Sequence, residues 1–381
     1  MTEKLYYQDA YITSFRATVL SSTPTEGGYA VVLDRTAFFP EEGGQYADRG
    51  RLGEATVTDV VESGGVITHI TDRDIEVGCE VEGVIDFAER YEKMQCHTAE
   101  HILSGLIHTH HGLDNVGFHL GADYVTMDVS GVLTREELDR IEDMANEAVY
   151  ENVEVEAIFP SAEELRGLEY RAKLDITENV RIVNVRGYDS CACCAPHVRR
   201  TGECGIIKIL DFQKLRGGIR MFITAGRRAL RYYRSLFTSA SEISRLLSVP
   251  KEEVTAGVER LIADLEAERS AFKSYKISLV KRRAGELPLT DGSLVVRLDG
   301  YTAEELRIYA AEGVSRVGGI LVALAGEDGD YKYAIASASI DLRAAARDIN
   351  TALSGRGGGS PTMIQGSFSA SLSEIESYFL K

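Results

Sequence analysis

His97-Thr98-Ala99-Glu100-His101 sets two imidazoles four residues apart. On a helix that spacing puts both rings on one face, a turn apart, which suits two ligands of one metal ion. Further along, Cys193-Cys194-Ala195-Pro196-His197 offers a thiolate and an imidazole at the same spacing, on a stretch that reads as a loop. Thiolate and imidazole donors favour Zn2+ over Mg2+ or Ca2+. The expected ligands are His97, His101, Cys193 and His197, around one zinc ion per chain. Cys191 and Cys194 flank Cys193, and spacing alone lets either replace it.

A competing pattern runs through the same residues. His97-x-x-Glu100-His101 fits the H-x-x-E-H order of inverted zinc peptidases, with Glu100 as general base. That reading leaves the cysteine cluster unexplained. Three of the six cysteines crowd into Cys191-Ala192-Cys193-Cys194, where a disulfide framework would spread them.

At 381 residues the chain is long enough for two or three domains with buried cores. Its hydrophobic fraction, 44%, is ordinary for a globular protein. No apolar run is long enough for a membrane helix, so no membrane partner is expected. The opening Met1-Thr2-Glu3-Lys4-Leu5-Tyr6-Tyr7 lacks a signal-peptide pattern, and the cytoplasm is the expected location. The net charge of −17 excludes indiscriminate nucleic-acid binding. Charge is uneven, however. Between Arg199 and Arg234, lysines and arginines are opposed only by Glu203 and Asp211. Such a patch steers a phosphate backbone to one face, or is simply a solvated basic surface.

The elements that must position these residues follow from periodicity. Residues 1–88 read as short β-branched strands between glycine turns, which suggests a small barrel. A helix is expected from Ala88 to about His111. Thr134-Arg135-Glu136-Glu137 is a capping box opening a second helix. Strands return at 181–185, 205–210 and 219–224. After Pro250, the apolar residues Val254, Val258, Leu261, Leu265, Phe272, Tyr275 and Leu279 follow a heptad pattern broken at Glu268. That reads as a helical arm or coiled coil, and a homodimer through it or the C-terminal part is expected. The last hundred or so residues alternate strand and helix, with a glycine-rich loop Gly355-Arg356-Gly357-Gly358-Gly359. The fold class is α+β. The expected parts are a β-barrel over 1–88, a metal-binding domain over 89–236, a helical arm over 237–285 and a C-terminal α/β domain over 286–381.

Several segments resemble one family. His97-Thr98-Ala99-Glu100-His101-Ile102-Leu103 and Cys193-x-x-x-His197-Val198-Arg199-Arg200-Thr201-Gly202-Glu203 resemble the editing domain of alanyl-tRNA synthetase and its free-standing AlaX relatives. Asp34 to Gln45, ending Glu42-Gly43-Gly44-Gln45, resembles the glycine-rich segment of the barrel before that domain. Gly355 to Pro361 with Gln365-Gly366 resembles the DHH-associated C-terminal domain. The resemblance covers nearly the whole chain. Where that family often carries Cys-Gly-Gly-Thr-His, this chain has Cys193-Cys194-Ala195-Pro196-His197; the family's glutamine near Phe118-His119-Leu120-Gly121 is here His119. The barrel comes first, with no room for an activating domain before it, as expected of a trans-acting factor. No Walker-type phosphate loop and no Asp-His-His triplet are present in the sequence.

The resemblance implies hydrolysis of the ester on a mischarged tRNA(Ala), carrying serine or glycine. Bound zinc would polarise the carbonyl, lower the pKa of a water, or orient the amino group. Four protein ligands ordinarily mark a closed, structural site, which keeps a non-catalytic tRNA-binding protein as the alternative. A pocket that bonds the serine hydroxyl would spare alanine; Gln45, Thr98 and His119 are the candidates for it. Gly43 and Gly44 are expected to let backbone approach the pocket or the tRNA end. Arg199, Arg200, Arg227, Arg228 and Arg231 are candidate phosphate contacts, with Arg356, Gly357 and Gly358 against the tRNA body.

Overall fold

Alternation of apolar and polar residues builds the first element group. In β2 (Ser14–Thr25), Phe15, Ala17 and Val19 point inward while Arg16 and Leu20 face out. The computed structural model describes residues 1–121, 124–172 and 180–380. In it β2, β3 (Gly28–Leu33), β5 (Gly50–Leu52), β6 (Ala55–Ser63), β7 (Val66–Thr71) and β8 (Glu80–Ile85) close into a barrel of order β2-β3-β7-β6-β5-β8. The short β1 (Glu3–Lys4) pairs in parallel with β4 (Arg35–Thr36). Leu33, Phe38, Phe39, Val57, Val60 and Ile67 fill the barrel, and Ala195 from the distant cysteine loop joins the same cluster.

Helix α1 (Phe87–His111) starts at Asp86, whose side chain accepts from the Glu89 amide, and ends at Gly112 in the left-handed region, φ 64°. It is buried from Met94 to Ile107 on every side, as a central helix must be. Its first turns carry two cations inward. Arg90 Nε lies 2.9 Å from both oxygens of Asp48, and Lys93 Nζ donates to the Ala47 carbonyl at 2.7 Å. These bonds fasten α1 to the loop before β5.

One side of α1 packs on the antiparallel sheet β14-β15-β10-β9, formed by β9 (Asn115–Leu120), β10 (Val125–Val129), β14 (Ile207–Leu215) and β15 (Gly218–Ala225). Helix α2 (Arg135–Glu151) opens on the expected Thr134/Glu137 capping box and buries Leu138, Ile141, Ala145 and Ala148 in that core. A second sheet, β11-β12-β13, joins β11 (Val155–Ile158), β12 (Ile182–Val185) and β13 (Asp189–Ala192). The single turn α3 (Ala162–Leu165) and the longer α4 (Gly226–Leu247) complete this region.

The chain divides into two compact units, Met1–Glu242 and Ile243–Lys381. In the second, α5 (Val254–Gly285) is one continuous helix. Its Val258, Leu261, Leu265, Phe272 and Tyr275 are exposed, while Val280 and Ala284 are buried. The sheet β16-β17-β18-β20-β19 comprises β16 (Leu294–Arg297), β17 (Ile320–Glu327), β18 (Asp330–Ser337), β19 (Gly355–Ser360) and β20 (Met363–Phe368). Period-two alternation decides its two faces. Leu321, Ala323 and Ala325 meet α6 (Ala303–Gly313); Val322 and Leu324 meet α7 (Leu342–Ala352) and α8 (Leu372–Phe379). The glycine-rich segment expected to be a loop is the edge strand β19, paired with β20 from Gly355↔Phe368 to Ser360↔Met363. A Cβ on Gly357 would sit 2.3 Å from both the Gln365 carbonyl oxygen and the Tyr333 hydroxyl, so glycine is what lets this strand lie down. The class is α+β. Among the described residues no helix is long and apolar enough to cross a membrane.

His69 is wholly buried in the barrel wall, with Nε2 2.8 Å from Thr36 Oγ1 and Nδ1 3.1 Å from the Val31 carbonyl oxygen. Burial lowers its pKa from 6.5 to about 4, against the opposing bond to Val31. Below pH 6.5 the unfolded chain takes up a proton that the folded ring refuses. The stability this ring contributes is complete above that pH and is lost as pH falls to 4, about 3 kcal/mol in total. Denaturant titrations across that range should show a His69→Leu variant with a shallower pH slope than the parent; identical slopes would contradict the assignment.

Candidate metal centre

Two elements far apart in sequence bring four donors together. Helix α1 turns His97 and His101 to one side, and the loop after β13 delivers Cys193 and His197. That loop is held at several points. The Cys193 amide donates to the Arg181 carbonyl at 3.0 Å, and the Val198 amide to Thr98 Oγ1 at 3.3 Å. Ala195 is fully buried on the barrel side.

The donor atoms of His97, His101, Cys193 and His197 all lie within 4.8 Å of one another. Cys193 Sγ is 3.6 Å from His97 Nε2 and 3.4 Å from His197 Nε2. Every ring is tethered by its other nitrogen. Nδ1 of His97 donates to Gln45 Oε1 at 2.9 Å, and Nδ1 of His101 to Asp189 Oδ2 at 3.0 Å. Nδ1 of His197 is 2.9 Å from Thr98 Oγ1. With Nδ1 engaged, Nε2 is the nitrogen left to each ring, and those of His97 and His197 face the Cys193 sulfur. Such tethers fix tautomer and orientation in metal sites.

Electrostatics agree with that donor set. Burial drives the Cys193 thiol up, but the His97 and His197 rings, with hydrogen bonds from His101 and His197, hold it well below its usual value. Burial lowers His101, yet Asp189 and Cys193 outweigh it and hold that ring well above its usual value. Burial carries His197 down to about 3. Both directions favour the ionised sulfur that a divalent cation binds. Three imidazole nitrogens and a thiolate fit a tetrahedral metal such as zinc.

Among the three crowded cysteines, Cys193 is the one in this group. Cys194 turns toward Gly43, where an added Cβ would meet its Sγ at 3.3 Å. Cys191 falls into a second cluster with His101 and Asp189. There Arg171 Nε already donates to Asp189 Oδ1 at 2.8 Å, and its Nη2 to Ser104 Oγ at 2.7 Å. Asp189 is thus shared between a guanidinium and a ring, which makes it a support for His101.

The other expected residues are placed as follows. Gln45 and Thr98 are fully buried and stand behind the rings of His97 and His197. Gly43 lines the cleft in front of the donors, with φ 62°. Gly44, φ 80°, packs on β9: a Cβ there would be 2.5 Å from the Phe118 carbonyl oxygen. Phe118 in turn lies against His97, ring centroids 4.6 Å apart. His119 faces the other way, exposed, 3.0 Å from the Tyr46 hydroxyl. Arg199 is tied to Asp9 at 2.9 Å and stacks on Tyr11; Arg200 donates to the Asn152 carbonyl. Arg227 lies over Tyr91 and Arg231 pairs with Glu92. Arg228 is buried, donating to the Gly121 carbonyl at 2.7 Å and 3.6 Å from Glu92. Arg356 and Gly357 are exposed on β19 in the second unit, and Gly358 is half-buried there.

A cleft of about 500 Å3 opens over the donors, lined by His97, His101 and Cys193 together with Tyr7, Glu42 and Arg181. Glu100, the alternative general base, also borders it and is bonded to Asn115 Nδ2. Sequence reasoning missed Asp189, Arg171 and Arg181. A carboxylate four residues before Cys193 was a usable signal for Asp189; the two arginines come from irregular stretches with no pattern to mark them.

With this geometry in hand, known proteins give a consistent picture. The family described as tRNA synthetases class II (A) matches residues 2–89. The family described as threonyl and alanyl tRNA synthetase second additional domain matches residues 180–221. An alanine–tRNA ligase of Halorubrum lacusprofundi is 34% identical over 88% of this chain and 38% of the ligase. One from Pyrobaculum neutrophilum is 33% identical over 98% of this chain and 44% of the ligase. The alanyl-tRNA editing protein AlaX-L of Pyrococcus horikoshii is 28% identical over 98% of this chain and 96% of that protein. The chain thus spans less than half the length of these ligases and is similar to the long AlaX-type editing protein from end to end. A solved C-Ala domain of Aquifex aeolicus alanyl-tRNA synthetase covers 23% of this chain at 16% identity and a TM-score of 0.21, too loose a fit to build on.

Replacing Asp189 by Asn keeps the shape but removes the charge that orients His101. Competition against a chromogenic chelator should show zinc affinity reduced about 10- to 100-fold. An affinity within about twofold of the parent would remove Asp189 from the metal centre.

Proposed function

We propose, from the similarity to AlaX-type editing proteins and the donor cluster, that this chain is a trans-editing aminoacyl-tRNA deacylase. Its substrate would be tRNA(Ala) wrongly charged with serine or glycine, its cofactor one zinc ion held by His97, His101, Cys193 and His197, and its place the cytoplasm. The observation that carries the reading is the convergence of three imidazoles and the Cys193 sulfur, with His97, His101 and Cys193 lining an open cleft.

The reaction is ester hydrolysis. The oxygen of a water molecule adds to the carbonyl carbon, and the bond to the ribose oxygen breaks. One water proton ends on that oxygen, leaving a free amino acid and an uncharged tRNA. Bound zinc would supply Lewis acidity next to the ester. The chain's own residues do the rest. Gln45, Thr98 and Asp189 keep the rings from turning. Gly43 leaves room over the donors for the terminal adenosine, and Phe118 packs against the His97 ring. Glu42 at the cleft edge is an anion suited to the amino group of the substrate. Gln45 and Thr98 are proposed to act through the imidazoles, His119 at the outer rim near Tyr46.

Exposed Arg199, Arg200, Arg227, Arg231 and Arg356 are the proposed phosphate contacts, with β19 at Gly357 and Gly358 open to the tRNA body. Arg228 would serve by fixing Glu92. The exposed row from Val258 to Tyr275 supports pairing of two chains through α5. The fourfold division at 88, 236 and 285 is retained as a functional description: barrel, editing core, arm and C-terminal module.

Incubating the zinc-loaded protein with seryl-, glycyl- and alanyl-tRNA(Ala) tests the reading. Deacylation of the first two with alanyl-tRNA spared is expected, and His97→Ala should cost at least about 100-fold while the fold persists. If zinc is bound and none of the three is hydrolysed, the metal is structural and the protein a tRNA-binding one.

A further inference from the structure

Among the described residues of the first unit three arginines are buried, Arg90, Arg181 and Arg228, and two of them come with a carboxylate: Arg90 has Asp48 and Arg228 has Glu92. Arg181 is only 7% exposed, yet among the described residues it forms no ion pair. Its Nη1 donates to the carbonyl oxygens of Cys193 and Ala195, both at 2.8 Å. Its guanidinium lies over the ring of Tyr7, 5.3 Å from the centroid. Its Nε is buried and has no acceptor among the described residues.

A buried cation with an idle donor is costly, since an unsatisfied charged group loses hydration and gains nothing. Burial accordingly pulls the guanidinium below its ordinary pKa. The two carbonyls occupy Nη1. What remains is the Nε–Nη2 edge, the edge that grips an oxygen anion or carbonyl with parallel N–H bonds. Arg181 lines the same cleft as His97 and Cys193, and the backbone bond from Cys193 to the Arg181 carbonyl locks the two residues together.

We infer that Arg181 is a catalytic residue whose Nε–Nη2 edge binds an oxygen carrying negative charge on the substrate's aminoacyl-adenosine end. This rests on the deacylase reading above. Two oxygens have that chemistry: the carbonyl oxygen of the ester and the phosphate of the terminal nucleotide. As water adds, the carbonyl π pair moves onto oxygen and meets the Arg181 donors. As that pair returns, the ribose oxygen leaves and takes the proton that water gave up. Arg181 keeps its own protons throughout.

The test uses the zinc-loaded full chain with Arg181→Gln and Arg181→Lys. Substrates are seryl-tRNA(Ala), a 3′-seryl ester of adenosine, and the same ester of adenosine 5′-phosphate; zinc affinity is measured alongside. In Arg181→Gln, zinc affinity should stay within about threefold while kcat/KM falls about 100- to 1,000-fold. A loss in kcat, equal on both small esters, identifies the carbonyl. A loss in KM confined to the phosphorylated ester identifies the phosphate. Arg181→Lys keeps the charge without the fork and should fall between; it replaces the Gln variant if that one does not fold. A loss below about threefold with zinc intact, or one that only tracks zinc loss, overturns the role. If the parent hydrolyses no ester, the deacylase reading fails on its own. Arg181 is then judged by calorimetric binding of the non-hydrolysable seryl-amide analogue of adenosine 5′-phosphate. At least about tenfold tighter binding by the parent than by Arg181→Gln supports it; equal or absent binding does not.

Discussion

Three imidazoles can share one point only if each is stopped from rotating and each shows the same nitrogen. A histidine on a helix has two ring nitrogens and a soft terminal torsion. Here the choice is made by oxygen atoms from three separate places: Gln45 in the loop before β5, Asp189 at the start of β13, and Thr98 on α1 itself. Barrel, helix and sheet must all be in register before the donors converge. The barrel therefore contributes to the centre without supplying a ligand, through Gln45 and through the packing of Ala195 in its core.

The same requirement explains how charge is handled around α1. A helix buried on all sides would ordinarily carry no cations, yet Arg90 and Lys93 point inward and are satisfied by Asp48 and the Ala47 carbonyl. That pairing contributes little net stability but makes misplacement of the barrel loop expensive, because breaking it leaves a buried charge. Behind Cys193 and His197, Glu203 does related work. Its carboxylate accepts from the hydroxyls of Tyr11 and Tyr91 and from the amides of Arg199 and Arg200. The segment from Val198 to Glu203 is thus an ordered turn. Its first arginine is balanced by Asp9, so the basic patch seen in the sequence is partly neutralised within the fold.

Local signals were legible where local physics decides. The helix from Ala88 to about His111, the Thr134 capping box, and the strands at 181–185 and 219–224 are each predicted by local pattern, and each element forms. The four-donor group could also be named, though not which of Cys191, Cys193 and Cys194 completes it. That depends on the path of a loop whose bonds to Arg181 and Thr98 come from elsewhere in the chain. Polar residues near the centre were visible by type but not by direction. Gln45 and Thr98 read as pocket residues, and tertiary packing puts them behind the rings. Gly355 to Gly359 looked like a loop because glycine disfavours strands; close approach to β20 and Tyr333 reverses that preference. Arg181 had no pattern, since its interest lies in what it lacks, and a missing partner has no sequence signature.

The central claim is that four side chains, oriented in advance, define one metal position. X-ray absorption at the zinc edge of the reconstituted protein tests it most directly. The account predicts one zinc per chain, with three nitrogen donors at about 2.0–2.1 Å and one sulfur at about 2.3 Å. A shell with two or more sulfurs, a shell of oxygens, or no stoichiometric zinc would contradict it.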